Sequence, residues 1–360
     1  MFLYLVDIHI LYSLNIIMNI IIIGAGWYGL HIFFFLKEHY PKYKLLILEE
    51  KSEIFNNSSY YNQNRLHLGY HYPRSHMTRE MCKNNFIKFI DNYRDVVDCI
   101  DNNFYCISKE SIIDYTTYLK IFDNIEYDHT IISNNFLENL DGNIINTKEK
   151  IINSSKAKKY FENKLSKEYI KLNYRVDDIT RKNTKIIINN NLECDVLIDC
   201  TCNKLGLQCN YIYELTISLL YKNLNINNIF DSLTIMDGNF FSLFPTDKSK
   251  NIYTLTHVKH TPLVKSENID EINNYIITPE KVLEVKENME MDVRKYYKKF
   301  STDFKYYGYF TSFKCKNKSN NDNRECNIFE KNNIISVNCG KITGIFEFEK
   351  YIENIFDNKI

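Results

Sequence analysis

Residues 61–75 read Tyr-Asn-Gln-Asn-Arg-Leu-His-Leu-Gly-Tyr-His-Tyr-Pro-Arg-Ser, a run with two histidines, two arginines and no acid. Histidine titrates close to neutrality, so His67 or His71 suits removal of a heteroatom proton while the neighbouring C–H bond is oxidised. The planar fork of Arg65 or Arg74 matches a carboxylate or a phosphate. These groups fit chemistry on a small acid with a CH–NH or CH–OH centre. His67 is the expected base, His71 the alternative, and Arg65 or Arg74 holds the anionic group. The plainer reading is a strand whose alternate residues face opposite ways, with Leu66, Leu68 and Tyr70 inward and Arg65, His67 and His71 on a solvated face.

Such groups need a scaffold, and the chain carries one just upstream. Ile20–Ile23 is an unbroken apolar run, the pattern of a buried parallel strand. It is followed by Gly24-x-Gly26-x-x-Gly29 and an apolar helical stretch ending near Pro41. The first glycine permits a tight turn, the second lets a pyrophosphate approach the backbone, and the third lets helix and strand pack closely. The helix start offers unpaired N–H groups to the phosphates. Lys44–Glu49 is a second buried strand, closing on Glu49, 25 residues after Gly24 (49 − 24), where a ribose-binding acid belongs. Glu50 is its neighbour and shares the chemistry. The pattern predicts a βαβ unit that grips a dinucleotide.

The fingerprint alone does not separate FAD from a nicotinamide cofactor. The segment 61–75 resembles the FAD-dependent oxidoreductases of the D-amino-acid oxidase superfamily, in the branch with an NQxRxHxGYHYPRS signature. It is more distantly similar to the HxGxYY stretch of L-2-hydroxyglutarate dehydrogenases. Cys194–Thr201 looks like the family's strand returning to the nucleotide domain, and Val337–Gly344 like its C-terminal strand-to-helix junction beside the flavin ring. The resemblance spans about residues 18–355 and is thin between 210 and 330. It implies FAD as cofactor, held by Gly24, Gly26, Gly29, Glu49, Ser59, Asn62, Asn64, Arg65, Thr201, Gly340 and Thr343. It implies His67, His71, Arg74 and Lys341 as the catalytic set, with no metal. Lys341 would donate to the flavin, or else complement acids such as Glu347. Two departures put bulk near the cofactor path: Asn57-Ser58-Ser59-Tyr60 where relatives carry Gly-Ala-Ser-Gly, and Thr201-Cys202 where they carry Thr-Gly.

The rest of the chain predicts an α/β fold. A Rossmann-type FAD-binding domain over 18–95, 150–205 and 326–360 carries an inserted α+β substrate domain over 96–149 and 206–325, mainly an antiparallel sheet. A helix is expected over 76–100 with Phe86, Ile87, Phe89, Ile90, Val96 and Val97 on its apolar face, and another over 154–167. Ile186–Ile188 and Asp195–Asp199 read as strands, 240–244 and 252–258 as a hairpin, and 316–325 as a mobile loop. Ile334–Val337 is the last strand and Ile342–Ile355 a closing helix. His257 and His260, on the hairpin, read as structural, with His257 the one able to reach a substrate pocket.

Composition bounds the function classes. Lys+Arg and Asp+Glu are both 45 in 360 residues, so no charge excess draws the chain to nucleic acid or to an anionic membrane. Ten cysteines without a CxxC pair read as packing thiols of a reducing, cytoplasmic protein. Met1–Ile17 lacks the cationic start of a signal peptide and a clean apolar span, so Met18 is expected to be the natural start, with a weak surface anchor as the alternative. The leading function is FAD-dependent removal of a hydride from a small amino or hydroxy acid. A nicotinamide-dependent dehydrogenase leaves segment 62–75 without a role. A flavin-fold module that has lost its chemistry is the reading from the other class.

Overall fold

The computed structural model describes residues 17–123, 127–225, 227, 229–318 and 324–357. In chain order the elements that matter here are β1 (Asn19–Ile23), α1 (Trp27–His39), β2 (Lys44–Leu48), β3 (Arg65–Leu66), α2 (His76–Asn92), β4 (Asn103–Ile107), β5 (Lys150–Ile152), β6 (Ile170–Lys171), β7 (Val196–Asp199), β8 (Tyr211–Asn223), β9 (Ser232–Met236), β10 (Phe241–Asp247), β11 (Ile252–His257), α3 (Pro279–Arg294), β12 (Phe304–Asn317), β13 (Cys326–Lys331), β14 (Ile334–Cys339) and α4 (Ile345–Asp357). The chain divides into two compact units, the first holding residues 1–59, 158–210 and 324–360 and the second 60–157 and 211–323.

The first unit is built on a six-stranded sheet in the order β13-β14-β7-β1-β2-β6. All neighbours are parallel except the β13–β14 pair. Continuous apolar runs suit strands covered on both faces, and Ile20–Ile23 are all buried. Ile23 is level with Asp199, and Asp199 with Ser336, so β1, β7 and β14 end at one carboxyl edge. Ligands of open α/β sheets bind beyond that edge. The closing helix α4 is amphipathic, with Ile345, Phe346, Phe348, Ile352 and Phe356 buried.

The second unit is dominated by a nine-stranded sheet. Its strands are antiparallel except where β9 runs parallel to β4. Its core packs Phe104, Ile217, Leu233, Leu243 and Leu255 against Val285, Met289 and Val293 of α3. A three-stranded sheet centred on β5 takes in β3 and Val97–Asp98. Through β3 the stretch 60–95, grouped with the nucleotide half in the sequence reading, clusters with the second unit.

The βαβ unit, the hairpin β10–β11 and the closing helix fall where the sequence places them. The helix expected over 76–100 stops at Asn92. Tyr93 leaves helical geometry, Arg94–Val96 form a 3-10 turn, and Val97 enters the strand that pairs with Ile152. Its buried face is Met81, Cys82, Phe86 and Phe89, while Ile87 is exposed. The helix expected to reach Lys167 ends at Lys164. The loop expected from Lys316 is strand up to Asn317, because β12 pairs along the length of β8; residues 319–323 lie outside the described residues, as do residues 1–16 of the leader. Among the described residues no helix is long and apolar enough to cross a membrane.

Candidate active site

Three loops of the first unit leave the carboxyl edge together: 24–29 after β1, 200–203 after β7 and 340–343 after β14. Gly24 has φ +98°, and a Cβ there would lie 2.9 Å from the Cys200 carbonyl oxygen. A Cβ on Gly29 would fall inside the van der Waals shell of the Gly24 carbonyl oxygen, so helix and turn touch backbone to backbone. A Cβ on Gly26 would lie 2.6 Å from Ser59 Oγ. Gly24 and Gly29 are therefore required by space as well as by pattern, while at Gly26 only the Ser59 hydroxyl stands in the way.

Glu49 fastens the same turn. Its Oε2 accepts the Ala25 N–H at 2.7 Å and its Oε1 the Lys51 N–H at 2.9 Å. A carboxylate has about four acceptor sites, so capacity remains for a ribose hydroxyl. Ser59 caps α1, its Oγ accepting the Trp27 N–H at 3.0 Å. Glu50, the alternative acid, is paired with Lys204 Nζ at 2.5 Å.

At the second loop, Thr201 binds through both its N–H (2.9 Å) and its hydroxyl (2.6 Å) to Asp199 Oδ1. The other Asp199 oxygen accepts from Ser336 Oγ at 2.8 Å, tying β7 to β14. Burial pushes the Asp199 carboxyl up, against these hydrogen bonds. Cys202, where the family resemblance leads one to expect glycine, sits at φ +60°, in the left-handed region that favours glycine. At the third loop Lys341 accepts the Tyr28 hydroxyl on its carbonyl at 2.6 Å. Gly340 is exposed, and Thr343 Oγ1 is buried with no hydrogen-bond partner among the described residues.

The second unit contains the other expected residues. Arg65 is 5% exposed, against the plainer reading of a solvated strand face. Only Arg65–Leu66 is strand, so the expected alternation does not extend to His71. The guanidinium donates to Tyr105 Oη at 2.7 Å and to Thr234 Oγ1 and Ser242 Oγ at 2.9 Å each. Its centre lies 4.1 Å from the Phe244 ring. The fork is thus committed inside this unit.

Beneath it is Glu149, a buried carboxylate that sequence reasoning missed. Its Oε2 accepts the Tyr105 hydroxyl at 2.5 Å and lies 3.6 Å from Arg65. Its Oε1 accepts the Leu68 and Gly69 N–H groups at 2.8 and 3.3 Å and faces His67 Nδ1 at 3.4 Å. Burial pushes its carboxyl up, but His67, Arg65 and the Tyr105 hydroxyl outweigh it and hold the group below the ordinary carboxylate range. Gly69, at φ +118° and with Arg79 Cα 3.2 Å from an added Cβ, makes the turn that presents both amides.

The ring of His71 is 5.4 Å from that of His67. Arg74 forks onto Asp237, Nε–Oδ2 2.6 Å and Nη2–Oδ1 3.3 Å. Asn64 sits at φ +54° and holds the Tyr60 carbonyl at 3.1 Å; the Asn62 carboxamide accepts the Gln63 N–H at 2.9 Å. Both shape the loop into β3.

His257 and His260 converge on Asp292 Oδ2, their Nε2 atoms 3.2 and 3.3 Å away. The three could ligate a cation, yet the surroundings oppose one. The Lys259 N–H donates to His257 Nδ1 at 3.1 Å, which puts the ring proton on Nε2, toward Asp292, and Lys295 Nζ holds the other carboxylate oxygen at 2.7 Å. The cluster fastens β11 to α3. Burial, with the neighbouring His260, pushes His257 down to about 4 from 6.5. A histidine with a depressed folded value contributes stability above pH 6.5 and loses it as pH falls toward 4, because the unfolded chain then takes the proton first. Melting temperature should therefore drop through that window, at about 1.4 kcal/mol per tenfold change in proton affinity. The drop should be shallower in His257→Gln; an unchanged slope would refute the assignment.

No family model matches the chain. FAD-dependent monooxygenase FPY4 of Fusarium mangiferae is 28% identical over 344 residues, 94% of this chain and 91% of the relative. Glycine oxidase from Bacillus cereus superposes with a TM-score of 0.67 at 13% identity, over 95% of this chain and 98% of that one. L-alpha-glycerophosphate oxidase from Mycoplasma pneumoniae, solved with FAD bound, gives 0.69 at 12% identity, over 93% of each chain. At such identities these likenesses carry the fold alone.

Proposed function

We propose that this chain is an FAD-dependent oxidoreductase, its first unit holding the cofactor and its second the substrate. One observation carries the reading: the glycine turn between β1 and α1, closed by backbone to a side chain at Gly24 and Gly29 and tied to Glu49. A nicotinamide enzyme would share that turn and could use the same His67–Glu149 pair; the FAD-dependent relative and the FAD-bound structural neighbour favour the flavin. The buried, unsatisfied Thr343 hydroxyl at the same sheet edge fits a ligand lying there. In this reading Gly24, Gly26, Gly29 and the start of α1 take the diphosphate, Glu49 the ribose, and Thr201, Gly340, Lys341 and Thr343 the flavin end. The bound flavin supplies a two-electron acceptor.

The substrate is a small amino or hydroxy acid, oxidised at its CH–NH or CH–OH centre. His67 is its base. With Nδ1 directed at Glu149, the ring keeps Nε2 as its basic atom, and the carboxylate stabilises the imidazolium that forms. Glu149 in turn is fixed by two amides and Tyr105. Arg65 neutralises Glu149 and acts as a positioning residue. His67→Asn should lower kcat/KM by about 10²–10⁴-fold, with FAD content unchanged and the acid limb of the pH profile gone. Full activity in that variant would move the base to His71.

A second reading, oxygen insertion, is favoured by the monooxygenase name of a relative that aligns over 94% of the chain. Anaerobic mixing with a panel of amino and hydroxy acids separates the two. Bleaching of the flavin by substrate alone supports hydride removal. Label from isotopic dioxygen appearing in the product supports insertion. Neither, across the panel, would leave a flavin-binding module without chemistry.

A further inference from the structure

We infer that Cys326 and Cys339 of the first unit form a redox-active dithiol, which low-molecular-weight disulfides oxidise to a cross-strand disulfide. The argument begins at the hairpin β13–β14. Its turn residues Asn332 and Asn333 have φ +54° and +60°, the left-handed pair of a two-residue type I′ turn. Pairing runs without a slip from Lys331–Ile334 out to Cys326–Cys339. In such a hairpin the pair flanking the turn exchanges backbone hydrogen bonds, and successive pairs then alternate.

Cys326–Cys339 is five steps outward (331 − 326), so it is a non-hydrogen-bonded pair. There opposed Cα atoms lie about 4.5 Å apart with side chains on one face. That separation is within the roughly 4.4–6.8 Å that a disulfide spans. No strand need move for the bond to form.

The two thiols are also unequal. The hydrogen bond it makes with Cys339, together with burial, pushes Cys326 up, whereas that bond, the Tyr28 hydroxyl and Lys341 hold Cys339 down against its own burial. Both residues are partly exposed, unlike the buried Cys82, Cys106, Cys194 and Cys315. The thiolate of one cysteine displaces one thiolate from the small disulfide and forms a mixed disulfide. The other cysteine, giving up its proton, then attacks its neighbour's sulfur and releases the second thiol. The dithiol loses two electrons and two protons, and one small disulfide becomes two thiols.

The bond would be felt at the flavin end of the sheet edge. Cys339 immediately precedes Gly340, and a Cβ on Gly344 would fall on its sulfur. The site can be tested on the full chain in glutathione/glutathione-disulfide mixtures of rising oxidised fraction, with acid quench, alkylation and peptide mapping. Denatured protein should fall from ten titratable thiols to eight (10 − 2), with one linked peptide joining Cys326 and Cys339. Cys326→Ser and Cys339→Ser should each abolish the link, leaving the remaining cysteine of the pair as a glutathione adduct or a free thiol. Oxidation confined to the exposed Cys99 and Cys209, or separate glutathionylation of 326 and 339 without a link, would overturn the assignment.

Discussion

Alanine at Gly29 is expected to yield a folded protein that no longer retains FAD. The added methyl group meets a carbonyl oxygen of the glycine turn itself, not the far end of a flexible side chain. Relief requires α1 to move away from the turn, and overpacking of this kind costs about 1–3 kcal/mol or more. Only part of that falls on stability, because α1 is anchored elsewhere by buried Leu30, Ile32, Phe33 and Leu36. The remainder falls on the phosphate cradle, whose amides must point at one spot. The dissociation constant for FAD should rise by at least about 100-fold, about 2.7 kcal/mol. Flavin fluorescence titration of the variant and of wild-type apoprotein checks this. Equal affinities would mean that the cradle lies elsewhere.

Replacing Glu149 by glutamine should have the largest effect on stability. The carboxylate is wholly buried against Arg65, itself 5% exposed. Removing one partner leaves the guanidinium as an uncompensated buried charge, and such changes cost about 3–5 kcal/mol. The three neutral hydrogen bonds of Arg65 soften the loss without cancelling it. Urea unfolding should show a lower midpoint at unchanged slope. Adding Arg65→Met should recover part of the loss, a coupling of about 0.5–3 kcal/mol. There is a pH signature too. A carboxyl held below its ordinary 4.5 contributes stability above that pH and loses it as pH falls below, so the acid limb of wild-type stability should flatten in the glutamine variant. A loss below about 1 kcal/mol, additive with Arg65→Met, would show that the pair is solvent-screened and would remove the positioning role from His67's partner.

The parts of the fold that depend on neighbours in sequence were legible. β1, α1 and β2 follow from an apolar run, three glycines and Glu49, all within 31 residues (49 − 19 + 1). The hairpin β10–β11 followed from two strand-like runs, 240–244 and 252–258, on either side of the polar turn 246–249. Partners distant in sequence were not legible. Glu149 lies in the charged run Lys148–Lys150 and reads as surface, yet it meets the Leu68 amide 81 residues away. Arg74 looked available to an anion until Asp237, 163 residues away, took its fork. Segment 61–75 read as a strand because its residue types alternate, but Gly69 breaks it into a turn that points two amides at one carboxylate. Position 202 is a case of residue type against backbone: its φ of +60° is the conformation that favours glycine, yet the chain carries a cysteine there.

The central claim is that the turn Gly24–Gly29 grips the diphosphate of a flavin nucleotide. The absorption spectrum of the protein as purified, with the released chromophore quantified after denaturation, tests it most directly. A yellow protein releasing one FAD per chain is the expected result. A colourless protein that takes up no FAD on reconstitution, while remaining folded, would contradict it.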